Sequence, residues 1–91
     1  MDYLLIPKIL FRDETLRRMN CKSKVLYSFL LNKFEKNINE INLDSLRKEI
    51  NTNDMTEKVI LRCLEELKKF KLLDFSILEK NIFMKKLTIF D

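Results

Sequence analysis

Five residues within the stretch NTNDMTEKVILR could touch a nucleic acid: Thr52, Asn53, Thr56, Lys58 and Arg62. Small hydroxyl and amide side chains can hydrogen-bond base edges or phosphate oxygens. The planar Arg fork matches the two acceptors of guanine in the major groove. Three cations further on, Lys80, Lys85 and Lys86, suit phosphate oxygens, which fix position without reading sequence. Each also has an ordinary reading. Thr52 and Asn53 make a turn, the remaining polar residues coat a helix, and lysine on an edge strand discourages sheet-to-sheet association. Glu57 and Glu65 in the same stretch would repel phosphate, and an exposed Leu61 on that face would suit a protein partner better than a groove.

Other chemistries lack their residues. The chain has no His and no Gly, so it has neither an imidazole base nor a glycine loop to cradle phosphates. Cys21 and Cys63 stand alone, without a CxxC pair. A zinc site is therefore not expected, and two buried thiols are. The carboxylates alternate with Lys and Arg along helical stretches, as surface pairs do. The chain reads as a non-enzyme without cofactor or metal.

The elements that would carry these residues follow from hydrophobic period and caps. Tyr3 to Phe11 reads as an extended apolar arm, because Pro7 opposes a helix there. Asp13 to Met19 suits a short helix, with acids at its start and Arg17 and Arg18 at its end. Asn20 is an N-cap. From Lys22 to Lys36, residues Val25, Leu26, Phe29, Leu30 and Phe34 recur at helical spacing, widened by Tyr27 and Leu31. Glu40 to Asn42 is a minimal strand. Asn42 caps a second helix with Leu43, Leu46 and Ile50 inside.

After a turn at Asn51-Thr52-Asn53, the D-x-x-E spacing of Asp54 and Glu57 predicts a capping box and a third helix starting near Met55. Its apolar stripe is Ile60, Cys63, Leu64, Leu67 and Phe70. The period then changes to alternation, with Leu73, Phe75 and Ile77 set between Asp74 and Ser76. A polar Leu78–Asn81 turn completes a β-hairpin. Without glycine, the turns fall to Asn37, Asn39, Asn51, Asn53 and Asn81, since Asn best tolerates the left-handed region. The aromatic residues Phe11, Phe29, Phe34, Phe70 and Phe75 fit core positions.

This order predicts one mainly α domain with a small antiparallel hairpin (α+β), arranged as a winged helix-turn-helix over residues 1–91. Residues 1–12 form the arm, 13–36 the first helical part, 42–70 the helix-turn-helix and 72–91 the wing.

The opening Ile6-Pro7-Lys8-Ile9-Leu10-Phe11-Arg12-Asp13-Glu14, with Lys24-Val25-Leu26-Tyr27 and Leu30-Leu31 after it, resembles the N-terminal domains of replication initiator protein A. These come from plasmids of low-GC Gram-positive bacteria. The likeness resumes at Leu64-Glu65-Glu66-Leu67-Lys68-Lys69-Phe70 and Leu72-Leu73-Asp74. The resemblance implies a winged helix that binds double-stranded origin repeats, with a recognition helix on Met55 to Lys69 and base-facing positions near Thr56, Lys58 and Arg62. Where the family has Gly this chain has Lys71, so its third helix must end by another route. Full initiators carry a further C-terminal domain.

Charge fits this reading without requiring it. The net charge is +4, and it gathers in residues 1–36, where Arg17, Arg18, Lys22 and Lys24 cluster. Residues 54–69 are formally neutral. No signal peptide or membrane-length apolar run is evident, which points to the cytoplasm. The expected partner is double-stranded DNA, for plasmid replication or transcription control in a mobile element. Tyr3 and Phe90 near the apolar ends would suit a homodimer. The alternative is a small plasmid or phage protein that regulates a host protein through the same scaffold.

Overall fold

A computed structural model of the chain describes residues 6–90. The elements are α1 (Ile9–Arg12), a 3-10 turn (Leu16–Arg18), α2 (Cys21–Glu35), β1 (Glu40–Asn42), α3 (Leu43–Ile50), α4 (Glu57–Lys69), β2 (Leu73–Leu78) and β3 (Asn81–Leu87). Helices and one three-stranded antiparallel sheet, in the order β1-β3-β2, make an α+β fold.

The expected extended arm is partly helical. Pro7 stands just outside α1, where its missing N–H costs nothing, and its carbonyl accepts from Leu10 N–H at 3.1 Å. Tyr3 lies outside the described residues. The helix expected over Asp13 to Met19 shrinks to a single 3-10 turn. Asp13 Oδ1 accepts from the N–H groups of Thr15 (2.9 Å) and Leu16 (3.0 Å) and opens that turn as a cap. Leu10, Leu16 and Met19 are buried beneath it.

Asn20 caps α2 as its side chain type predicts, accepting from Lys22 N–H at 2.8 Å. The buried face of α2 is Ser23, Leu26, Tyr27 and Leu30, spaced i, i+3, i+4 and i+7. Phe29 and Phe34 only pack half-buried against the core, as does Phe70, while Phe75 is buried. Phe11 is 51% exposed and is not a core residue. It lies under the ammonium of Lys24, 4.5 Å from the ring centre.

Left-handed residues end three helices, Asn37 (φ 62°), Asn51 (49°) and Lys71 (63°), and a fourth, Glu79 (56°), turns the hairpin. Asn37 and Asn51 are where Asn was expected, but Asn39, Asn53 and Asn81 are not left-handed. α2 and α4 end alike. Ile38 N–H donates to the Lys33 carbonyl and Asn37 N–H to the Phe34 carbonyl; Leu72 donates to Leu67 and Lys71 to Lys68. This double bond closes a helix through one left-handed residue. Lys71 thus takes the glycine route directly, at a cost of about 1 kcal/mol for its Cβ.

The strand at Glu40–Asn42 forms where predicted and pairs with β3, Ile41 opposite Ile82. Asn42 then turns the chain into α3, its side chain accepting from Ser45 N–H at 3.1 Å. In the hairpin, Leu73 faces Leu87 and Phe75 faces Met84, all four toward the core. Between those pairs Lys85 has no partner, so it forms a bulge. Glu79 and Lys80 make the two-residue tip. One apolar cluster joins Leu10, Leu26, Tyr27, Leu46, Ile60, Leu64 and Ile82.

Candidate nucleic-acid interface

α3 and α4 are joined by a short exposed loop carrying Thr52 and Asn53. The buried Met55 pins the loop to the core. α4 therefore starts later than the Asp54–Glu57 spacing predicts. Its N-cap is Thr56, whose hydroxyl accepts from Val59 N–H at 3.3 Å. A depression of about 430 Å³ opens beside the loop, lined by Asp44, Arg47, Lys48, Asn51, Thr52, Asn53 and Met55. Arg47 and Lys48 in the last turn of α3 were missed by sequence reasoning. Their signal was their position, one helical turn before Asn51.

The amphipathic period of α4 turns Ile60, Cys63, Leu64 and Leu67 inward. Lys58, Arg62, Glu65 and Lys69 then share the exposed face at spacings of four, three and four. Glu66 leaves that face. It lies against the start of α2, where its carboxylate accepts from Asn20 N–H (3.0 Å) and Ser23 Oγ (2.5 Å). Glu57 faces the hairpin tip, with Lys80 Nζ 4.0 Å away. The formally neutral stretch 54–69 thus shows solvent a ridge of three cations and one carboxylate along α4. Among the described residues, neither Lys58 nor Arg62 makes an ion pair within 4.0 Å. Leu61, expected to be exposed, is half-buried against the core, because its flank of α4 still meets neighbouring side chains.

The hairpin cations separate. Lys80 stands at the tip beside the first turns of both α3 and α4. Its ammonium is 3.5 Å from Asp44, and its carbonyl accepts from Leu43 N–H at 2.7 Å. Lys85 and Lys86 lie five and six residues along β3, roughly 15–20 Å from the tip at about 3.3 Å per residue. There Lys86 is opposite Asp74 and shares a depression of about 260 Å³ with Lys68 and Lys71. Thr52, Asn53, Thr56, Lys58 and Lys80 therefore gather at the α4 N-terminal end, Arg62 sits mid-helix beside the start of α2, and Lys85 and Lys86 lie at the other end.

The N-terminal basic cluster also divides. Arg17, Arg18 and Lys22 are exposed, but Lys24 is 3% exposed. Its ammonium donates to the Arg17 carbonyl at 3.0 Å and serves the packing of the N-terminal segment. The two thiols differ as well. Cys63 is buried, and burial pushes its pKa up, the Ser23 hydroxyl opposing this. Cys21, expected to be buried, is exposed at the first turn of α2. Phe90, half-buried, packs against Tyr27 of its own chain, ring centres 6.2 Å apart.

No family model matches the chain, and neither a curated protein nor a solved structure matches it. Among the described residues, no helix is long and apolar enough to cross a membrane.

Proposed function

We propose that the chain is a winged helix that binds double-stranded DNA, with α4 in the major groove and the hairpin tip beside it. The observation that carries this reading is the α4 ridge: Lys58, Arg62 and Lys69 face solvent while Glu57 and Glu66 are drawn off it by Lys80 and by the start of α2. The element order supports it. A helix, a short strand, two helices joined by a tight loop and a hairpin, with the short strand beside the last one, are what a winged helix requires. The resemblance of the Ile6–Glu14 opening to plasmid initiator domains adds a role in replication, or in transcription control on a mobile element. Arg62 is the residue placed to read a base, Lys58 and Lys80 to hold phosphate, and Thr52 and Asn53 to fix the helix N-terminus on the backbone.

Fluorescence anisotropy on AT-rich and random duplexes across a salt titration tests this. Binding should weaken linearly in log–log coordinates as salt rises. Arg62→Ala should relax any preference between duplexes, by about 1–3 kcal/mol for a bidentate contact. Lys58→Ala should weaken all duplexes alike. No binding at moderate salt sinks the DNA reading.

One observation favours a second reading. Leu78 at the hairpin tip is 68% exposed and Ile77 beside it 38%, an apolar pair better suited to a protein surface than to phosphate. A partner lost on Leu78→Ser, with Lys58→Ala harmless, would establish that reading instead.

A further inference from the structure

α2 and α4 end through the same backbone device, yet with different residues. The left-handed position after α2 is Asn37, and α3 ends on the left-handed Asn51. After α4 the same conformation falls on Lys71, a side chain poorly suited to it. Glu79 takes the same conformation at the hairpin tip, but among the left-handed helix ends Lys71 alone is not Asn, which directs attention to its side chain.

The surroundings say what role. Lys71 lines one depression of about 260 Å³ with Lys68, Asp74, Lys86 and Thr88. Thr88 Oγ1 donates to the Lys71 carbonyl at 3.1 Å and holds the backbone there. The adjacent bulge at Lys85 puts a further exposed lysine on the same stretch of β3. Asp74 is the carboxylate of the group. Among the described residues, none of these lysines is within 4.0 Å of a carboxylate. Lys68 and Lys69 suit the negative end of α4, but Lys71 lies past that end and Lys86 on another element, so the helix dipole does not account for the patch.

We infer that Lys71, with Lys68 and Lys86, forms a second phosphate-binding patch, which holds the DNA backbone where it leaves the groove occupied by α4. This rests on the DNA reading. α4 is 13 residues long, about 20 Å at 1.5 Å per residue, and the ridge ends at Lys69 beside the patch. A duplex following the ridge meets the lysines with its flanking phosphates.

Two variants test the assignment. Lys71→Asn removes the charge and installs the residue used at Asn37 and Asn51, so it should raise the melting temperature. Lys86→Gln changes an exposed strand position. On a duplex longer than two helical turns, each should reduce the slope of log affinity against log salt by about 0.9, with duplex preference unchanged. The double variant should lose about twice that. Wild-type binding with both slopes unaltered overturns the patch and leaves the DNA reading standing. Absence of wild-type binding overturns the DNA reading and the patch with it.

Discussion

Tyr27 is the largest side chain sealed from solvent in the described core, and its hydroxyl donates to the Thr88 carbonyl, tying α2 to the chain just past β3. Burial, with Glu35 adding to it, raises its pKa from 10.0 to about 12. Between those values an unfolded chain has released the phenolic proton while the folded one retains it. Tyr27 therefore contributes fully below pH 10.0, and its contribution is lost as pH rises toward about 12. Urea unfolding across that window should show stability falling with pH. Tyr27→Phe should cost about 1 kcal/mol at neutral pH for the lost hydrogen bond and should flatten the alkaline fall. An identical fall in the variant would assign it to other groups. Glu66 is the other residue that closes a seam, accepting from a backbone N–H and a hydroxyl of α2 at once. Glu66→Ala opens the exposed Asn20 N–H to water and leaves the buried Ser23 hydroxyl without its acceptor, so it should cost about 1 kcal/mol, whereas Glu66→Gln keeps an acceptor and should cost less.

At the scale of elements, the start of α4 separates two readings of one sequence. Asp54–Glu57 and Thr56–Val59 each offer a cap, and the buried side chain of Met55 decides for the second by holding the preceding residue out of the helix. Thr56→Ala should lower stability by about 1 kcal/mol in chemical denaturation, and Asp54→Ala should stay within about 0.5 kcal/mol of wild type. The reverse order would restore the capping box. Thr56→Ser keeps the cap, so it separates a stability effect from any lost nucleic-acid contact. This boundary shows what kind of information a sequence carries. Asn20, the three-residue strand at Glu40 and the alternation from Leu73 declared themselves, because cap chemistry and period are local. The burial of Lys24, the half-burial of Leu61 and the left-handed Lys71 did not, because each depends on what packs alongside. The site divides the same way. The period of α4 alone sets Lys58 and Arg62 outward, but the removal of Glu57 and Glu66 from their face depends on where the hairpin tip and the start of α2 come to rest.

The whole molecule is held by one core that the helices and the hairpin build together. Leu72, Leu73, Phe75, Ile82, Met84 and Leu87 are all buried in the same cluster as Leu26, Tyr27, Ile60 and Leu64. Removing residues 72–91 would expose the faces those side chains cover, strip β1 of its partner strand and free the Tyr27 hydroxyl. At about 1.5–3 kcal/mol per large apolar side chain buried, the loss is comparable to the roughly 5–15 kcal/mol by which domains are stable at all. A chain ending at Lys71 should therefore keep some helical circular dichroism but show no cooperative thermal transition and bind ANS strongly. A sharp transition in that truncation would mean that the helices stand alone and the hairpin is an appendage. The tip is a different matter, since Ile77 and Leu78 cover little of the core. Replacing both by Ser should leave the melting temperature nearly unchanged, so any effect of that variant on binding would belong to the tip's own contact with a partner.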